Sequence, residues 1–260
     1  MVLTDKKEIV YICKLSSQLT EEEKEGFTQV FNRVFNTNHN LEWFNWKYLD
    51  NIYGDSYMIL AYDGDKMVGI RAFWRNDIGN HLCYQPCDTA VLEEYRGRGI
   101  FTKSSLIALE NTRGAFIYNF PNQNSLPGNL KLGWEIDKLS YLEAVFNKGR
   151  LKEETFFIDD DYLVWRFIKS PIKRYHYCKK GGEYYLLFNR GKNIYYVLGR
   201  FNGKFKDHFI KASLPILFKY TTRKTIIYKI FKNRATIVSY HNAIETKEKI
   251  AIPEYKADYF

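Results

Sequence analysis

Cysteine is scarce in this 260-residue chain. Its four residues, Cys13, Cys83, Cys87 and Cys178, form no CxxC, and the 83/87 pair has no matching His/Cys cluster. That argues against a disulfide framework and a zinc ribbon, and for free buried thiols in a reducing compartment with no metal. Long apolar runs are missing as well. None approaches the roughly 18 residues that a membrane span needs, so no span is expected. The N-terminus, Met1-Val2-Leu3-Thr4-Asp5-Lys6-Lys7, turns charged at once and does not read as a signal peptide. These features together predict a cytoplasmic protein. Two phosphate-binding fingerprints are also absent: G-x-G-x-x-G does not occur, and no Gly-Lys-Ser/Thr follows a glycine loop.

What is abundant is aromatic. Tyr and Phe number 21 and 19, and hydrophobic residues make up 45% of the chain. This is a globular composition that can bury a sizeable core, in one large domain or two of about 100–150 residues. Charge is unevenly spread. Residues 1–150 carry 17 Lys/Arg against 19 Asp/Glu, whereas residues 151–260 carry 22 against 11. The basic half is suited to an anionic partner: a nucleotide-linked substrate, a membrane surface or nucleic acid. It lacks a recognisable RNA-binding signature, so nucleic acid is the weakest of these.

Along the chain, Ile9–Cys13 reads as a strand. Thr20-Glu21-Glu22-Glu23 reads as a capped helix start, followed by Phe27, Val30, Phe31, Val34 and Phe35 at helical spacing. A second helix over Asn40–Leu49 is apolar on two faces, so Trp43 and Trp46 belong either to the core or to a cleft. Strands are expected over Tyr57–Tyr62 and Lys66–Trp74, joined by Asp63-Gly64-Asp65, and again over His81–Leu92. A glycine turn at 96–99 opens a helix to about Thr112. Strands then follow over Ala115–Phe120 and near Leu139–Phe146.

The expected division is 1–150 and 151–260, with the polar stretch Asn147–Glu154 as linker. Beyond it, a short helix over Asp160–Ile168 precedes strands over Tyr184–Phe188, Ile194–Arg200, Thr225–Phe231 and Ala235–Tyr240. A weak internal echo links the halves. Trp46-Lys47-Tyr48-Leu49 resembles Trp165-Arg166-Phe167-Ile168 at an offset of 119, and each is followed by a Tyr-rich strand and a turn, at Tyr57–Leu60 and Tyr184–Leu187. The fold class is therefore α/β with a mixed sheet, followed by a smaller strand-rich module.

The strongest chemical signal is Val91-Leu92-Glu93-Glu94-Tyr95-Arg96-Gly97-Arg98-Gly99-Ile100, a strand entering a glycine turn that opens a helix. Such a turn leaves backbone N–H groups without partners at the positive end of the helix dipole, which suits a phosphate. Gly97 and Gly99 let the backbone approach an anion closely, and Arg96 and Arg98 add charge.

This stretch resembles the pyrophosphate-binding motif of the GNAT N-acetyltransferase superfamily, Arg/Gln-x-x-Gly-x-Gly/Ala, with Arg96 and Gly99 in register. Thr89-Ala90-Val91 is similar to the family's splayed strand. Pro121-Asn122-x-x-Ser125 with Lys131-Leu132-Gly133-Trp134 is similar to its Asn…Lys-Leu-Gly-Phe segment. The resemblance covers roughly residues 7–146 and implies an acetyl-CoA (coenzyme A) co-substrate. Thr89, Ala90 and Val91 would pair with the pantetheine arm. Gly97, Arg98, Gly99, Ile100, Phe101 and Thr102 would cradle the pyrophosphate with Arg96, and Asn122 would contact the pantetheine region.

Phe101 departs from the small residue that usually ends the motif. Asn129 and Ile117 occupy positions where relatives carry a Tyr general acid and a catalytic Glu. The expected chemistry is attack of an amine on a thioester, with Asp88 as the general base and Gln85, Tyr118 and His81 as weaker choices. The basic second module suits a small anionic acceptor, and the resemblance to two-part proteins of this type with a Phe-Pro-Asn segment, here Phe120-Pro121-Asn122, and a Trp-Arg/Lys-aromatic segment, here Trp165-Arg166-Phe167, implies bacterial surface-polysaccharide work. A nucleotide-linked amino sugar for surface polysaccharide fits that description. The rival readings are an aminoacyl-tRNA-dependent transferase and a non-catalytic binding module on the same fold.

Overall fold

The computed structural model of the chain describes residues 8–145, 148–225, 234–242 and 250–257. The chain divides into two compact units. The first comprises Met1–Asn119, Pro127–Gly133 and Ser239–Glu248. The second comprises Phe120–Leu126, Trp134–Val238 and Lys249–Phe260. No described helix is long and apolar enough to cross a membrane.

The first unit begins with β1 (Val10–Leu15) and α1 (Glu21–Phe35). The expected capping box is present. Glu23 N–H donates to Thr20 Oγ1 at 3.2 Å, and Thr20 N–H donates to Glu23 Oε2 at 2.9 Å. Asn36 ends α1 in the left-handed region at φ 52°. A helical turn α2 (Leu41–Phe44), capped by the Asn40 side chain, runs into a π-helical turn at Asn45–Leu49. Then come β2 (Tyr57–Asp63), β3 (Lys66–Arg75), β4 (Cys83–Val91), α3 (Ile100–Asn111), β5 (Phe116–Asn119) and α4 (Leu126–Lys131).

The strand order is β1-β2-β3-β4-β5. The first four pair antiparallel, with Gly64 at φ 60° in the β2–β3 turn, and β4–β5 is parallel. Residues two apart on a strand share a face. On β3, Gly69 and Arg71 meet Ile100 and Phe101 of α3, whereas Trp74 turns the other way and donates its indole N–H to the Lys47 carbonyl at 3.1 Å. Phe27, Trp43, Phe44 and Tyr48 pack together there. Trp43 and Trp46 are both buried, as are Trp165 and Phe167 in the second unit; they are core residues rather than cleft lining.

The second unit contains β6 (Glu135–Ala144), α5 (Lys148–Glu153), α6 (Asp160–Leu163) with a π-helical turn at Val164–Ile168, β7 (His176–Lys180), β8 (Glu183–Asn189), β9 (Ile194–Phe201), β10 (Ile210–Lys211) and β11 (Ile216–Thr221). Its strand order is β6-β11-β9-β8-β7-β10. The strand β12 (Arg234–His241) begins in this unit and ends in the first. The stretch expected as a linker is helical over α5. Most of the expected Thr225–Phe231 strand lies outside the described residues, while β7, β10 and β11 were not foreseen.

The internal echo is structural. Asn40 and Asp159, 119 residues apart, both cap a single α-turn that widens into a π-turn. Each π-turn is followed by three antiparallel strands, β2-β3-β4 and β7-β8-β9, and the third of each set pairs parallel with a later strand, β5 or β11. The strand equivalent to β2 is therefore β7, one strand earlier than the Tyr184–Leu187 match read from the sequence.

Candidate functional site

Two features of the first unit create a slot beside β4. The first is a bulge. Ile70 pairs with Ala90 and Ala72 with Cys87, so Arg71 alone faces both Asp88 and Thr89, and Asp88 sits at φ 45°. An extra residue on one strand bends it and interrupts its ladder. The second is a splay. The β4–β5 ladder covers Cys83↔Phe116 and Tyr84↔Ile117 and goes no further, although β4 continues to Val91 and β5 to Asn119. Among the described residues, no strand takes the β5-facing side of Thr89, Ala90 and Val91. Backbone donors and acceptors in such a gap suit an extended ligand that carries amides of its own.

The slot leads to the glycine turn. Gly97 and Gly99 both lie at φ 76°, and a Cβ added at either would meet nothing within 4 Å. The left-handed backbone at Gly99 forms the N-cap of α3 with no side-chain hydrogen bond. The first-turn N–H groups of the 12-residue helix, at Ile100, Phe101 and Thr102, thus point past glycine into open space. Arg96 and Arg98 are exposed beside it. Arg96 Nε donates to the Val91 carbonyl at 3.3 Å, and Arg98 Nη2 donates to the Glu94 carbonyl at 3.3 Å while lying over the Tyr95 ring. This arrangement can hold a diphosphate.

On one face of the bulge lies a buried polar trio. Lys47 Nζ donates to Asp88 Oδ2 at 2.9 Å, and Tyr48 Oη donates to the same oxygen at 2.5 Å. The Lys47 and Asp88 side chains are 5% and 6% exposed. The Cys87 thiol lies 3.7 Å from the Tyr48 hydroxyl. Sequence reasoning found Asp88 but missed Lys47 and Tyr48, whose signal was a lysine set between Trp46 and Tyr48 on an otherwise apolar turn.

The opposite face carries Arg71, also missed. It sits in the apolar run Val68–Trp74, is 2% exposed, and makes one hydrogen bond among the described residues, from Nη1 to Thr89 Oγ1 at 2.9 Å. Phe101 lies over its guanidinium at 4.5 Å. The same ring crowds Gly128 of α4, where a Cβ would come within 2.8 Å. Phe101 thus takes the place of the small residue of the motif by packing into the space that Gly128 leaves.

The remaining choices are structural. Gln85 accepts from Asn76 Nδ2 at 3.1 Å, and Tyr118 Oη donates to the Asn76 carbonyl at 2.9 Å. His81 forms an isolated bridge with Ile78. Asn122 belongs to the second unit, where its Oδ1 accepts from the N–H groups of Asn124 and Ser125 at 3.0 and 2.9 Å.

The second unit repeats the slot and fills it. The β9–β11 ladder covers Ile194–Tyr196 and then stops. Phe156–Ile158 runs along β9 beyond that point. Ile158 N–H donates to the Arg200 carbonyl at 2.7 Å, and Arg200 N–H donates to the Phe156 carbonyl at 2.8 Å.

No family model matches the chain, and no curated protein matches it. Solved structures do. A GCN5-related N-acetyltransferase from Kribbella flavida matches with a TM-score of 0.57 at 10% identity, over 91% of this chain and 72% of that one. A GCN5-related N-acetyltransferase from Anabaena variabilis ATCC 29413 matches with a TM-score of 0.55 at 12% identity, over 90% and 73%. A conserved protein of unknown function from Enterococcus faecalis V583 matches with a TM-score of 0.57 at 11% identity, over 92% and 74%. The fold of this chain is that of the GCN5-related N-acetyltransferases across both units.

Proposed function

We propose that the chain is an acyltransferase that moves an acyl group from coenzyme A to an amine, with the donor bound in the first unit. The observation that carries this reading is the continuity of bulge, splayed strand and glycine turn along Asp88–Thr102. The pantetheine arm, which carries amides, would pair with the backbone of Thr89, Ala90 and Val91. The diphosphate would sit on the N–H groups from Gly97 to Thr102, with Arg96 and Arg98 adding charge.

The amine nitrogen attacks the thioester carbonyl carbon, the C–S bond breaks, and coenzyme A leaves as the thiolate. A backbone N–H of β4 at the bulge end of the slot stabilises the oxyanion. The proton lost by the amine passes to the Tyr48–Asp88 pair, with Asp88 as its final acceptor, and returns to the thiolate or to solvent. Lys47 holds Asp88 in place. The acceptor we favour is a small anionic amine of the nucleotide-linked amino-sugar class, a reading supported by the excess of basic residues over 151–260.

Titration calorimetry with acetyl-CoA tests the donor. Binding in the micromolar range by the wild type, lost in Gly99→Glu, supports the reading. That variant places a carboxylate at the turn and a Cβ at positive φ. Failure of the wild type to bind would refute the reading and favour a non-catalytic module or a tRNA-dependent transferase.

A further inference from the structure

Arg71 is a buried cation whose counter-ion the fold does not supply. Among the described residues it has no ion pair, and its one hydrogen bond goes to a neutral hydroxyl. A guanidinium carries five N–H donors, and Nε is fully buried without a partner. Burial without a neighbouring carboxylate pulls its pKa down to about 10, only partly offset by the Cys87 thiol. Asp88, the acid closest to it along the ladder, faces the other side of the sheet and is held by Lys47 and Tyr48. Stacking on Phe101 at 4.5 Å and Phe73 at 5.5 Å helps to retain the charge. Such stacking does not satisfy planar donors that point along the ring faces. Burying a charge is costly unless it is paired, so the position invites an anion.

A second orphan lies nearby in the chain packing. Asn129 is fully buried on α4, and neither its Oδ1 nor its Nδ2 has a partner. It follows Gly128, the residue against which the Phe101 ring is wedged. The Arg71 guanidinium lies over the other side of that contact, against the Phe101 ring at the first turn of α3. Buried polar groups in folded proteins are nearly always satisfied, so the guanidinium left open here marks a ligand position.

That position is specific. The Arg71 backbone faces Asp88 and Thr89 across the ladder, at the bulge end of the slot, and its guanidinium lies between Thr89 Oγ1 and the Phe101 ring. In the acyl-CoA reading this end receives the acyl group, and the diphosphate lies at the other. Resting on that reading, we propose that Arg71 receives a carboxylate at the free end of the acyl group, so that the preferred donor carries a dicarboxylic acyl chain of the malonyl or succinyl class. The planar fork suits bidentate recognition of a carboxylate, which a neutral acetyl group cannot offer.

The test is calorimetry of the full chain with acetyl-CoA and succinyl-CoA, repeated with Arg71→Met and Arg71→Lys after circular dichroism confirms their fold. The wild type is expected to bind succinyl-CoA about ten- to a hundredfold tighter than acetyl-CoA, the range of one to two charge-assisted hydrogen bonds. Arg71→Met should abolish the preference, lowering succinyl-CoA affinity far more than acetyl-CoA affinity, and Arg71→Lys should retain part of it. Should Arg71→Met fail to fold, the wild-type preference and its reduction in Arg71→Lys decide the matter. Equal wild-type affinities would overturn the proposal while leaving the acyl-CoA reading intact. An equal loss for both ligands in Arg71→Met would also overturn it, by assigning the guanidinium to the shared part of the donor. Failure of the wild type to bind either ligand would overturn both.

Discussion

In the second unit, β9 and β11 part after three paired residues, and the chain's own Phe156–Ile158 takes the exposed side of β9. In the first unit, β4 and β5 part after two, and the equivalent segment, Thr37–His39, is drawn elsewhere. Its His39 N–H and carbonyl are bonded to the Asn32 side chain, as is the Thr37 hydroxyl. Both third strands are bulged, but the bulge is Asp88-Thr89 in one and Leu198 in the other. Tyr48 becomes Phe167, which has no hydroxyl, and among the described residues no glycine turn with a long helix follows β9. One frame, used twice, thus supports an open slot in one copy and a self-filled one in the other. The scaffold provides the gap, and a few side chains decide whether a ligand or the chain itself occupies it.

The comparison can be broken at several points. Lys47→Met should have the largest effect, leaving the buried Asp88 carboxylate without its cation. Breaking a buried pair costs about 3–5 kcal/mol, to be read as a lower urea midpoint. Tyr48→Phe makes the first π-turn resemble the second. Losing a hydrogen bond to a charged group should cost about 1.5–3 kcal/mol, and it should lower kcat with little change in acetyl-CoA affinity. Gly199→Ala acts on the other copy. Its Cβ would meet Ile158 at 2.7 Å and push Phe156–Ile158 off β9. Overpacking of this kind costs about 1–3 kcal/mol, and acetyl-CoA binding in the first unit should not change.

The smallest effect is expected at Asp55, which anchors the Ser16–Ser17 turn. Burial raises its carboxyl pKa, but hydrogen bonds from Ser17 N–H and from both serine hydroxyls, with the charge of Arg75, bring it below its ordinary value. Because the folded pKa is the lower one, the stability it contributes is present at neutral pH and is lost as pH falls below about 4 toward the folded value. Asp55→Asn should therefore cost about 1 kcal/mol at pH 7 and flatten the acid limb of a stability–pH curve.

Local signals in the sequence were read well. The α1 capping box, the Asp63–Asp65 hairpin and the glycine turn rest on residues close in sequence whose backbone preferences agree with the fold. The repeat was visible only at Trp46–Leu49 and Trp165–Ile168, because side chains that cap and pack a π-turn are constrained while strand residues exchange freely among Tyr, Phe, Leu and Ile. That freedom is why the β2 counterpart was placed one strand late. Arg71 and Lys47 were missed for a different reason. Each reads as a stray charge in an apolar element, and its meaning depends on which face it takes and what the bulge brings opposite. The self-filled slot could not be read at all, since Phe156–Ile158 joins β9 through backbone hydrogen bonds that carry no side-chain signature.

Hydrogen exchange of the whole chain with and without saturating acetyl-CoA tests the central claim most directly, because it follows both slots in one experiment. Protection is predicted over 88–92 and 97–102 in the first unit, with no change over 156–158 or 198–201, where the backbone is already bonded within the chain. Protection confined to the second unit, or none at either slot at saturating donor, would contradict the account.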